Sequence, residues 1–395
     1  MRRLISTCLL VASFVVLSSE LFVGLSAELT VYHEFSGVRT NGLEPQSALL
    51  RATDGALYGT TIRGGAHGPG TLFKLVPETK ALQVLHDFSH SPADGREPAG
   101  PISEGKDGFL YGTTSLGGSA GVGTIYKVKK DGTGFSLISS FTGAGGDGRV
   151  PFSGLRQGKD SGWIGTTDEG GMYGFGTVYV IKPGGSRHLV VHHFGGKFRK
   201  DGTKPHGPLC QASDGKWYGA TVAGGWDDQG ILFVINGDGS GYRVLRAFAG
   251  GPNDAAKPFG GLIEATDGLL YGTTISGGNA SQGTLFRCRK DGTGFELLRM
   301  FTGLGAEGRN PYAELLEGKD GAFYGVTLNG GSQGGGLLFR LTGKGDYETL
   351  YAFSAKGEEG RGPYGGLTLF PDGSLVGTTT SGPGSGGGVV FHVRP

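Results

Sequence analysis

The sequence predicts an all-β protein, a seven-bladed β-propeller of four-stranded blades closed by an N-terminal strand that completes the last blade. Three observations predict it. First, "YGTTISGG" at Tyr271 returns as "YGTTIRGG" at Tyr58, "YGTTSLGG" at Tyr111 and "YGATVAGG" at Tyr218. Second, the marker position falls at Tyr58, Tyr111, Ile164, Tyr218, Tyr271, Tyr324 and Val376, in steps of 53, 53, 54, 53, 53 and 52 residues. Third, the two ends of the chain complement each other. "LTVYHEFSG" around Phe35 resembles the fourth segment "LQVLHDFSH" of a unit, but no first three segments precede it, and the last unit stops after its third, "GVVFHVR". A closed ring uses the spare strand to finish its last blade, whereas an open solenoid has no use for it.

The elements follow in chain order. Residues 1–27 carry Arg2 and Arg3, the apolar run "LISTCLLVASFVVL" and a small-residue site "LSA". That is the pattern of a secretory signal peptide. Residues 28–395 are expected to form the propeller. The fifth unit shows how each is built. "LIEAT" ends in "DG", "LLYGTTI" ends in "GG", "GTLFRCR" ends in "KDGTG", and "FELLRMF" closes the unit. Asp-Gly between apolar runs signals a hairpin. The β-branched and aromatic content suits strands, and no segment holds a helical period. An Asp precedes every second strand, from Asp54 to Asp372, and a phenylalanine closes the fourth at Phe88, Phe141, Phe194, Phe248, Phe301 and Phe353. The marker aromatic or aliphatic residue is expected to pack between neighbouring sheets.

Composition supports this reading. The 82 glycines would suggest disorder, but 10% aromatic residues and a formal charge of +1 make them punctuation between strands. Without residues 1–27 the chain has 34 basic and 34 acidic residues. A neutral exported chain lacks the basic patch that nucleic acid calls for. No later segment is long and apolar enough to span a membrane. Cys210 and Cys288 remain after cleavage, too few for a disulfide scaffold. The aligned units place Cys288 at a buried apolar position and predict no bridge to Cys210.

Units of the form "DGxLYGTTxxGGxxGxGTxF…DGxGFxxLxxFxGxxGxxP" resemble the Gloeo-Verruco tandem repeat of bacterial exported proteins, also called choice-of-anchor repeat proteins. The resemblance covers about residues 29–395. It implies export and a repeat fold, and it supplies no catalytic residues to carry over. Nothing resembling an anchor follows Pro395, so the expectation is a soluble, monomeric, secreted or periplasmic protein.

Several motifs reduce to repeat geometry. "GGSAG" at Gly117 and "GGSQG" at Gly330 fit G-x-S-x-G, but no helix follows, as a nucleophile elbow requires. "GAGGDG" at Gly143 and "GLGAEG" at Gly303 lack the helix of a dinucleotide site. "HLVVHHF" holds His188, His192 and His193, but His192 and His193 alternate to opposite faces of a strand, and His33 and His86 occupy the same repeat position as His192. A structural role is expected there, and no metal or other cofactor is implied. The arginines of the "DGREP"-type loops, Arg96, Arg149, Arg309 and Arg361, are expected to bind neighbouring carboxylates or carbonyls.

Function is sought on the face that carries the long loops, those joining second to third strands and one unit to the next. Units three and four depart from the repeat there. The residues after "TT" are Asp168 and Glu169, with Tyr173 beyond. Unit four offers Trp226, Asp227 and Asp228, and "GGKFRKDGTKPH" between them brings Lys197, Arg199, Lys200 and His206. Aromatic rings beside carboxylates suit sugars, and paired acids suit acid–base work. The sequence thus points to a binding or scaffold module for a glycan or cell-envelope partner. The alternative is a carbohydrate-active enzyme, hydrolase or lyase, acting at the same loops.

Overall fold

A computed structural model describes residues 27–36, 41–384 and 386–395. The signal-peptide segment, apart from Ala27, lies outside the described residues. Seven antiparallel sheets, one per unit, make the propeller. In the first, Leu50–Arg51, Leu57–Thr61, Thr71–Val76 and Ala81–Asp87 pair in that order. The fifth repeats this with Ile263–Glu264, Leu270–Thr274, Thr284–Cys288 and Glu296–Met300. The ring closes as the ends of the sequence predict. Glu28–Glu34 runs antiparallel to Val389–Arg394, with Glu28 opposite Arg394 and Val31 opposite Phe391.

The repeated motif can now be read atom by atom. The tyrosine of "YGTT" is buried between sheets, and its hydroxyl donates to the Asp of the preceding turn. The pairs are Tyr58–Asp54 and Tyr111–Asp107 at 2.7 Å, Tyr218–Asp214 at 2.9 Å and Tyr271–Asp267 at 2.8 Å. The glycine is there for room, since a Cβ on Gly272 would lie 2.6 Å from the Phe286 ring and 2.8 Å from Leu262. The second threonine pairs with the threonine that opens the third strand, as in Thr114–Thr124 and Thr274–Thr284 at 2.7 Å. These hydroxyls also donate to loop carbonyls, so the buried polar groups are satisfied. The two following glycines take positive φ, +88° at Gly277 and +71° at Gly278, which turns the chain with no Cβ clash.

Two features refine the sequence reading. The first strand of each unit is only two residues long, as at Ser103–Glu104, although the sequence suggested a longer piece. In several units a residue just beyond this strand bonds instead to the neighbouring blade. Glu104 accepts from the Thr53 backbone N–H at 2.7 Å, Gln157 from Lys106 at 3.0 Å and Glu317 from Thr266 at 2.9 Å. The long loops are also bolted together. Gly95–Arg96 pairs with Leu116–Gly117, and Gly148–Arg149 with Glu169–Gly170. A helical turn, Gly196–Arg199, stands in the loop between units three and four.

One strand position carries an imperfection. The third-strand ring is Phe in five units, including Phe73 and Phe286, but Tyr126 and Tyr179 in two. Both hydroxyls are buried with no hydrogen-bond partner. Removing an unsatisfied hydroxyl from a site shaped for Phe is favourable, so Tyr126→Phe and Tyr179→Phe are each expected to raise stability by about 1 kcal/mol. Urea unfolding checks this through a higher midpoint at unchanged slope.

Candidate functional site

The residues singled out from units three and four divide into two groups. The outer group sits on the long loops. Tyr173 is 52% exposed, Trp226 73% and Phe198 96%. The Lys200 ammonium lies 3.5 Å from the Trp226 ring centre, and the Arg199 guanidinium 4.3 Å from that of Phe175. Asp228 Oδ1 accepts from the Gly224 N–H at 2.8 Å and so shapes its own loop, while Asp227 is exposed beside it. Beneath lies a cleft of about 660 Å³ whose walls include Met172, Tyr173, His193, Lys200, Tyr242 and Arg243. Phe198, Arg199 and Asp228 adopt left-handed φ of 61°, 66° and 57°.

The inner group lies on the propeller axis. The residue after the loop proline is Gln46, Ala99, Phe152, His206, Phe259, Tyr312 and Tyr364 in the seven units, and all but Ala99 are half-buried. These residues line one cavity of about 90 Å³, to which every unit contributes. Five of them form an arc of rings. Phe152–His206 centres are 4.2 Å apart, His206–Phe259 3.8 Å, Phe259–Tyr312 4.8 Å and Tyr312–Tyr364 5.0 Å. His206 Nδ1 meets Asp168 Oδ2 at 2.6 Å, while Asp168 Oδ1 is buried without a partner. Further along the axis Arg156 Nη2 donates to Glu314 Oε2 at 2.7 Å, joining units three and six. Burial pushes the Glu314 carboxyl up, against the pull of Arg156.

The structure therefore brings Asp168 to His206, and Trp226 to Lys200 on the Arg199-bearing loop. Glu169 turns instead to Arg149, 2.9 Å away, as expected of the loop arginines. Among the contacts of the described residues, none joins Asp168 to the Asp227–Asp228 loop. The inner site went unread in the sequence except for Asp168 and His206. Its signal was present, because aligning the units puts Arg156 where others have residues such as Leu50 or Ser103, and Glu314 where others have Gly154 or Pro208.

The histidines of the third unit take structural places. His86 stacks on Phe135 at 3.7 Å and meets Asp94 at 3.1 Å, and Arg246 does the same over Phe295 with Asp254. At the next junction the roles exchange. Ser139 Oγ meets His188 Nδ1 at 2.7 Å, and His188 Nε2 meets Asp147 at 2.6 Å. This has the membership of a hydrolase triad, but the histidine stands at the ring position of Phe135 and restores the acid's usual partner. Burial opposes ionisation of Asp147, yet bonds from His188 and Thr142 hold its pKa down to about 2. His192 stacks on Tyr242 at 3.8 Å, and burial with His193 nearby lowers its pKa to about 4. Among the described residues no group of three or more His, Cys, Asp or Glu side chains is placed to hold a metal ion. Cys210 and Cys288 are free thiols, the latter buried in the core.

The pattern of the Gloeobacter/Verrucomicrobia repeat matches residues 22–207, 89–266 and 209–395, overlapping along nearly the whole propeller. The chain belongs to the Gloeobacter/Verrucomicrobia repeat family. No curated protein sequence matches this family member. Solved structures similar to it share the fold at low identity. An oligogalacturonate lyase from Vibrio parahaemolyticus is 12% identical, with a TM-score of 0.58 over 94% of each chain. The extracellular domain of a protein assigned as a hybrid two-component system from B. thetaiotaomicron is also 12% identical, with a TM-score of 0.58 over 93% of this chain. The repeat protein spans only 41% of that domain's length. Among the described residues no helix is long and apolar enough to cross a membrane.

Proposed function

We propose that this propeller works outside the cytoplasm as a glycan-binding module, and that the glycan lies across the outer loops of units three and four. One observation carries the reading. Met172, Tyr173, Phe198 and Trp226, four of the six large apolar side chains exposed among the described residues, stand on those loops. Such a concentration marks an interaction site. Folding gains little from it, and left-handed φ at Phe198 and Arg199 costs on the order of 1–3 kcal/mol each. Rigid aromatic faces offer contact area at low entropic cost. The apolar face of a sugar ring fits them, while its hydroxyls reach Lys200, Arg243 and Asp227.

The test is a panel of polysaccharides read for both binding and product release. A Tyr173→Ala/Phe198→Ala/Trp226→Ala variant is expected to bind its best glycan at least tenfold more weakly, with an unchanged melting temperature. Undiminished binding by the folded variant removes the ligand from these loops. Release of shortened sugars by the wild-type protein replaces the binding reading with that of a hydrolase or lyase.

A further inference from the structure

We propose that the axial mouth is a second, separate site and that it takes a small organic cation, an alkylammonium head group. It is independent of the glycan reading, because it uses none of the outer-loop aromatics. The cavity of about 90 Å³ has room for a head group of roughly five heavy atoms, too little for a sugar ring with its hydration. Its wall is unusually aromatic, with rings at five of the seven equivalent positions. The arc ends at Phe152 and Tyr364, and the gap between them is held by Ala99 and Gln46. The faces of aromatic rings attract cations, most strongly where water is excluded.

The charges point the same way. Asp168 replaces uncharged residues such as Ile62, Val222 and Ile275, and Glu314 replaces small residues or proline. Five units build the same fold without an acid at either position, so neither carboxylate is needed for the ring. Glu314 is matched by Arg156. Asp168 meets only the imidazole of His206, through one oxygen, and its other oxygen is buried and unpaired. A buried carboxylate oxygen is costly without a partner, and a cation in the cavity would supply one. An anion would have to displace Glu314 from Arg156.

The test uses the full chain and choline, with 3,3-dimethylbutan-1-ol as its uncharged isostere, measured by isothermal titration. Choline is expected to bind saturably and at least tenfold more tightly than the isostere. Asp168→Asn and Tyr364→Leu are each expected to weaken choline at least tenfold, while Tyr364→Phe and Trp226→Ala leave it unchanged. If Asp168→Asn lowers the melting temperature, Tyr364→Leu carries the test. Absence of saturable choline binding overturns the proposal, as does equal affinity for the isostere. Loss of choline binding in Trp226→Ala would move the cation to the outer loops and overturn it equally.

Discussion

Deleting residues 28–36 is expected to lower the melting temperature by about 5–10 °C or more and to make the protein aggregate on heating. Glu28–Glu34 supplies the outer strand of the last blade, and Phe35 beyond it is fully buried against Leu49 and Phe73. Losing one buried Phe alone costs about 1.5–3 kcal/mol. Leu29 and Val31 add to this, since both pack on the cluster around Phe353 and Phe391. The strand that remains, Val389–Arg394, then presents an open edge, which templates pairing with other chains. Calorimetry and light scattering measure the two effects. Adding a peptide of residues 27–36 is expected to restore most of the loss. A truncated chain that melts like the full one would mean that this strand does not bear the closure.

Phe88→Ala is expected to cost about 3–5 kcal/mol, whereas Phe198→Ala stays within about 0.5 kcal/mol. The two phenylalanines differ only in where the fold puts them. Phe88 ends a fourth strand with no exposed surface and reaches into the next blade, 5.3 Å from the Tyr126 ring. Its truncation leaves a cavity between two sheets whose backbones are tied and cannot collapse to fill it. Phe198 is 96% exposed on an irregular turn. Urea unfolding compares the pair directly. A cost below about 1 kcal/mol at Phe88 would mean that the repeated phenylalanine does not hold the blades together.

Much of this was legible in the chain. The marker residues at Tyr58 and its equivalents, with the turn Asp four positions before, set the blade count because each unit must solve the same burial problem. The hydroxyl-to-carboxylate bond inside that pair was not legible, although it gives a reason for both residues. In the unit of Ile164 the hydroxyl is missing, and Asp160 keeps the turn bond that Asp54 and Asp107 also make, here from the Gly162 N–H at 3.1 Å. The outer loops of units three and four also stood out, because they break a regular pattern.

The axial site did not stand out. Phe152, Phe259, Tyr312 and Tyr364 lie about 53 residues apart or multiples of it, and each looks like an ordinary core residue in its own unit. The sequence by itself determined the fold, the number of blades and the strand that closes them, since periodic burial and turn chemistry are local properties repeated seven times. Only the tertiary structure decided which residues meet. Closing the ring carries the same position of every unit to one axis, so Arg156 reaches Glu314 from 158 residues away. It also separates Asp168 from Glu169, since successive residues of an extended chain face opposite ways. One turns to the axis and His206, the other to Arg149.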